Sequence, residues 1–118
     1  MRKYILLFFI AGLLACDDTD DIFLNGITVT EVLSDYPDKP NEHGKYVNYF
    51  GAHVTNSSHK PIKGYVRFTV REYGTVNSYQ HIVKPNNEGQ TYFEVSLETN
   101  KVINESYLLE VEFLAAKN

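Results

Sequence analysis

The chain has 118 residues, a formal net charge of −4 and a single cysteine. That length suits one domain with a modest core, and a lone cysteine excludes an intramolecular disulfide, so folding rests on burial. The acidic balance and the absence of any Lys/Arg cluster exclude a phosphate backbone as partner, and no nucleic acid is expected.

At the start of the chain, Arg2 and Lys3 precede an apolar run through Leu14 that closes on Leu13-Leu14-Ala15-Cys16. A positive start, a short apolar stretch and small residues at the cut describe an export signal over residues 1–15, and the run is too short to span a bilayer as a stable helix. The Leu-x-Ala-Cys ending resembles the lipobox of bacterial lipoproteins. The resemblance implies that Cys16 becomes the acylated first residue of the mature chain. A second acyl chain turns reversible attachment into a stable anchor. The implied partner is therefore a membrane, held through the N-terminal lipid. The implied address is the bacterial cell envelope, on the outer membrane, facing the periplasm or the cell surface.

Asp17-Asp18-Thr19-Asp20-Asp21 follows, four carboxylates in five residues. Self-repulsion and the scarcity of apolar groups keep such a run solvated, so residues 16–25 read as an acidic tether. A calcium loop would also need a turn glycine and a downstream glutamate, which are missing. An acidic run after a lipidated cysteine resembles the surface-export signal of some Gram-negative lineages. Aspartate beside the cysteine resembles the inner-membrane retention signal of others, and both stay open.

Over residues 26–118 the pattern changes to short segments of period-two alternation separated by turn residues, with no amphipathic helix. Strands are predicted over 26–33, 46–56, 62–72, 78–83, 90–97 and 107–114. The intervening segments 34–44, 56–61 and 84–89 are rich in Pro, Gly, Asn, Asp and Ser, the residues that close turns. Alternation then assigns faces. Phe50, Ala52 and Val54, Val66, Phe68 and Val70, Phe93, Val95 and Leu97, and Leu109, Val111 and Phe113 are expected to form the core. Their neighbours, including Tyr49, His53, Tyr65, Arg67, Tyr92, Glu94, Glu110 and Glu112, are expected to point outward. One apolar face per strand calls for two sheets packed together, so the expected fold is an all-β antiparallel sandwich of six to seven strands.

Three local features resemble the FxLYD and related immunoglobulin-like domains of bacterial lipoproteins. Val54-Thr55-Asn56-Ser57-Ser58 stands where those domains end a strand in Asn and turn. Phe68-Thr69-Val70-Arg71-Glu72 stands at the signature, with Phe68 at its first position and Arg71 in place of its tyrosine. Residues 84–89 precede the apolar strand Tyr92-Phe93-Glu94-Val95. The resemblance, which covers the middle of the chain, implies an immunoglobulin-like architecture and little about chemistry.

Catalytic machinery is not apparent. Four histidines, His43, His53, His59 and His81, include no pair two residues apart, the spacing that a metal site on one strand needs. Ser57, Ser58 and Ser78 lie in no nucleophile-elbow motif and suit turn closure. Glu110 and Glu112 share a strand face but are expected to be solvated. No enzyme activity and no cofactor is expected. Eight tyrosines lie beyond residue 15, and Tyr49, Tyr65 and Tyr92, assigned outward, are the candidate binding face. A tyrosine group can stack on sugars or anchor a protein interface, and it can equally do no more than suit a strand. The functional expectation is a non-enzymatic binding or scaffolding module of the envelope. Alternatives are a glycan-binding accessory of a polysaccharide-uptake system and a small envelope hydrolase.

Overall fold

The computed structural model describes residues 2–6, 10–11 and 26–116. Among the described residues the strands are β1 (Arg2–Leu6), β2 (Ile10–Ala11), β3 (Ile27–Tyr36), β4 (Tyr46–Asn56), β5 (Ile62–Val70), β6 (Gly74–Asn77), β7 (His81–Val83), β8 (Thr91–Thr99) and β9 (Leu108–Ala115). A 3-10 turn, Glu105–Tyr107, precedes β9. Cys16 and the acidic tether lie outside the described residues.

All pairings are antiparallel. In the first sheet the order is β1-β3-β4-β8, with β2 also against β3. In the second, β9 takes one flank of β5 along Gly64–Val70, so β6 and β7 share the other flank end to end. The two sheets face each other as an immunoglobulin-like β-sandwich whose seven strands beyond residue 26 match the expected number. β7 packs beside β8, which places the β6/β7 edge of one sheet next to the β8 edge of the other.

The expected core positions close over one another. Phe50, Phe68 and Phe93 are fully buried, together with Val54, Val66 and Val111. Across the sandwich the Phe50 and Phe68 rings lie 6.4 Å apart and stacked, while Phe93 meets Phe113 edge-on at 5.9 Å, the offset geometries that the ring quadrupole favours. Two buried amides finish β4. Asn48 Nδ2 donates to the Leu97 and Tyr46 carbonyls and to Thr99 Oγ1, and Asn48 Oδ1 accepts the Ile103 N–H. Asn56 Nδ2 donates to the Lys60 and Val83 carbonyls, and its Oδ1 accepts from the Ser58 N–H and hydroxyl. Both amides are thereby satisfied, the condition for keeping them out of water.

Leu109 corrects the expected core. It is 57% exposed, because a β-bulge between Thr69 and Val70 sets Glu110 opposite Thr69 and Leu108 opposite Val70. The extra residue flips the side-chain parity, and Leu108 packs on the core in its place. A second bulge, between Val29 and Glu31, switches the inward set of β3 from Ile27 and Val29 to Val32, Ser34 and Tyr36. That strand therefore runs on to Tyr36, and the loop expected from residue 34 begins at Pro37.

The expected strand over 78–83 is also revised, to β7 alone, and a separate β6 is added. β5 ends at Val70, and a three-residue turn, Arg71-Glu72-Tyr73, brings the chain back as β6. The turn requires positive φ at Glu72 (73°) and at Gly74 (83°). Lys101 Nζ, 3.1 Å from Glu72 Oε1, holds the turn against the opposite loop.

Candidate functional site

The outward residues of the first sheet form a small grid set by register. Asp35, Leu33 and Glu31 of β3 stand opposite Tyr49, Gly51 and His53 of β4, which stand opposite Ser96, Glu94 and Tyr92 of β8. Gly51 is its centre. The Tyr92 ring folds back over it: a Cβ added at Gly51 would lie 2.1 Å from the Tyr92 hydroxyl oxygen and 2.5 Å from Cζ. Only glycine leaves room for this ring.

Tyr92 is held in place on three sides. Its hydroxyl donates to Glu94 Oε2 at 3.1 Å, and the His53 ring lies 5.0 Å away at 44°. His53 Nε2 in turn lies 3.5 Å from Glu31 Oε1. Partial burial, the Glu94 charge, the Glu94 hydrogen bond and the more distant Asp35 charge together push the Tyr92 phenol up to about 12. Each of these disfavours a phenolate, so Tyr92 presents a neutral ring and an O–H donor at neutral pH.

Beyond Tyr92 the grid opens into a cleft of about 680 Å³ lined by Tyr49, Asn77, Tyr79, His81, Tyr92 and Glu94, with Val76, Ser78, Val95 and Ser96. Its far wall is built by the β6–β7 connection. Val66 lies between the stretch of β5 paired with β7 and the stretch paired with β6, and Ser78 fills this gap. The Ser78 N–H donates to the Val66 carbonyl at 2.9 Å, and Ser78 Oγ accepts the Val66 N–H at 3.0 Å while donating to the Tyr79 carbonyl at 2.8 Å. A serine standing in for a ladder residue thus expels the next one. Tyr79 is 86% exposed beside the cleft. The Ser78 hydroxyl is engaged as both donor and acceptor, a structural role that matches its reading as a turn residue.

A smaller recess of about 50 Å³ adjoins the cleft, sharing Tyr49, Tyr92 and Glu94 and adding Leu33, Asp35 and Gly51. Asp35 Oδ1 is buried there without a hydrogen-bond partner among the described residues. Of the two carboxylates, Glu94 lines the cleft as well as the recess, whereas Asp35 lines the recess alone.

Of the three tyrosines expected to form one face, Tyr49 and Tyr92 line this cleft together. Tyr65 does not join them. It lies on β5 of the other sheet, opposite Leu114 of β9. Tyr79, His81 and Asn77 complete the cleft and were not singled out as site residues. The usable signal was Tyr73-Gly74 followed by Thr75-Val76-Asn77, a glycine-bearing turn followed by a short strand. The four histidines lie apart: His43 and His59 in exposed loops, His53 on the outer face of β4 and His81 on β7, where its ring meets Phe93 at 5.2 Å. No group of three or more His, Cys, Asp or Glu is placed to hold a metal ion among the described residues. No helix there is long and apolar enough to cross a membrane. Neither the family models, nor the curated proteins, nor the solved structures contain a match to this chain.

Proposed function

We propose that this protein is a lipid-anchored, non-enzymatic binding module of the bacterial envelope that engages its partner through the cleft beside Tyr92. In this reading Cys16 carries the acyl chains that hold the protein on the outer membrane, and residues 16–25 space the sandwich from the bilayer. The observation that carries the binding half is the cleft itself, about 680 Å³ and walled by three tyrosines. Its volume is that of a small-ligand site, and exposed tyrosine rings supply contact area at little entropic cost. The side chains around it support binding over catalysis. The Ser78 hydroxyl there is committed to the backbone, and Glu94 accepts from the Tyr92 hydroxyl rather than from a nucleophile.

Two measurements test the reading. Cys16→Ser should release the chain from the membrane fraction into the soluble fraction, because the thiol is the one group able to carry the lipid; a variant that still pellets and resists salt washing overturns the anchor. A photo-crosslinking residue at Tyr79 should capture an envelope component in living cells, whereas the same residue at Tyr65 should not. Capture at Tyr65 alone would move the binding surface to the other sheet.

A further inference from the structure

Resting on the binding reading above, we propose that the ligand of the cleft is a neutral sugar chain, stacked on Tyr92 and Tyr79 and hydrogen-bonded through its hydroxyls to Glu94. Charge supports this first. Among the described residues neither Lys nor Arg lines the cleft, and the carboxylate that lines it is Glu94. An anionic ligand would meet like charge there, with no cation among the described lining residues to offset it.

Shape and hydrogen bonding supply the rest. Tyr92 is 41% exposed, yet its ring plane is fixed by Gly51 beneath, His53 at one side and Glu94 at the hydroxyl. A flat ring already ordered before binding suits the apolar face of a pyranose, since little side-chain freedom is lost on contact. Tyr79, projecting from the other wall, offers a second ring. Glu94, which lines the cleft, accepts one hydrogen bond from Tyr92 and keeps further acceptor capacity for a ligand hydroxyl. A sugar brings many O–H donors, no charge and apolar ring faces, and so answers each of these features. A basic peptide answers only the carboxylate.

The test is titration calorimetry of the full chain, purified in mild detergent, against starch, a mannan and laminarin as neutral glycans, polygalacturonate as an anionic one and oligolysine as a cationic peptide. Binding to at least one neutral glycan and not to polygalacturonate is expected. Tyr79→Ala, at a position too exposed to endanger the fold, should weaken it about tenfold, while Tyr65→Ala should leave it unchanged. Oligolysine binding that depends on Tyr79, with no glycan bound, would overturn the sugar inference and keep the cleft as the binding site. Glycan binding indifferent to Tyr79→Ala would overturn the cleft. Silence from every probe would overturn both.

Discussion

The Tyr92 hydroxyl lies where a side chain at Gly51 would begin, with 2.1 Å between the phenolic oxygen and a Cβ built on that glycine. Gly51 stands opposite Glu94 in the β4–β8 register, and Tyr92 stands opposite His53, so the ring leans two residues along the sheet to reach the carboxylate that accepts its proton. A missing side chain on one strand thus sets the orientation of an aromatic on the next. The cleft depends on that arrangement, because Tyr92 is one of its lining rings.

Gly51→Ala should therefore eject Tyr92 from its seat without unfolding the protein. The methyl group collides with a ring, and the ring, lying on the outer face and 41% exposed, can swing into solvent. A cost of about 1–3 kcal/mol is expected, as for other overpacked sites. Urea unfolding measures it, and loss of glycan binding in a variant that still unfolds cooperatively would show that ring orientation, rather than folding, was removed.

A second expectation concerns pH. The Tyr92 phenol, ordinarily near 10, is pushed up to about 12, chiefly by burial and then by Glu94. In this window the folded chain keeps a proton that the unfolded chain has lost. The stabilisation is complete below pH 10 and is lost as pH rises from about 10 to about 12. Solvent reaches part of the ring, so the effect is a fraction of what the full shift implies. Absorbance at 295 nm should show a phenol ionising near pH 12 that Tyr92→Phe abolishes, and the slope of stability against pH above 10 should be shallower in that variant. A Tyr92→Phe titration superimposable on the parent would contradict the assignment.

Asn48 provides the third. Its side chain ties β4 to Thr99 and Leu97 of β8 and receives the Ile103 N–H at 2.9 Å from the 100–104 loop, all in a fully buried position. Asn48→Ala leaves that N–H and two carbonyls without their partner, which should cost about 2–4 kcal/mol on the scale for unsatisfied buried groups. The urea midpoint should fall accordingly, and amide exchange at Ile103 should accelerate more than in the middle of β5. An unchanged midpoint would mean that the loop is held by the Ile103 side chain alone.

Much of the sandwich is legible in the residue order. Period-two alternation identifies β4 to the residue, places Phe50, Phe68 and Phe93 inside, and puts Tyr49 and Tyr92 outside, because a side chain's face within its own strand is a local property of the pleat. Turn chemistry likewise marks residues 84–89, where Asn86 and Asn87 adopt positive φ. Sheet membership is not local. Whether Tyr65 shares a face with Tyr92 depends on which strands pair across the whole chain, and the pairing of β5 with β9 and of β4 with β8 sets them in different sheets. Alternation is blind to bulges for a similar reason: the extra residue at Leu109 is defined only against its partner strand. Tyr79 is the clearest case. It falls in the segment 78–83 that reads as a strand, and the Ser78–Val66 hydrogen bonds, made across a gap of 12 positions in the chain, are what take it out of the ladder and set it beside the cleft. The strands and their faces follow from nearest-neighbour sterics and hydrophobicity, whereas the cleft follows from long-range pairing that only the folded chain resolves.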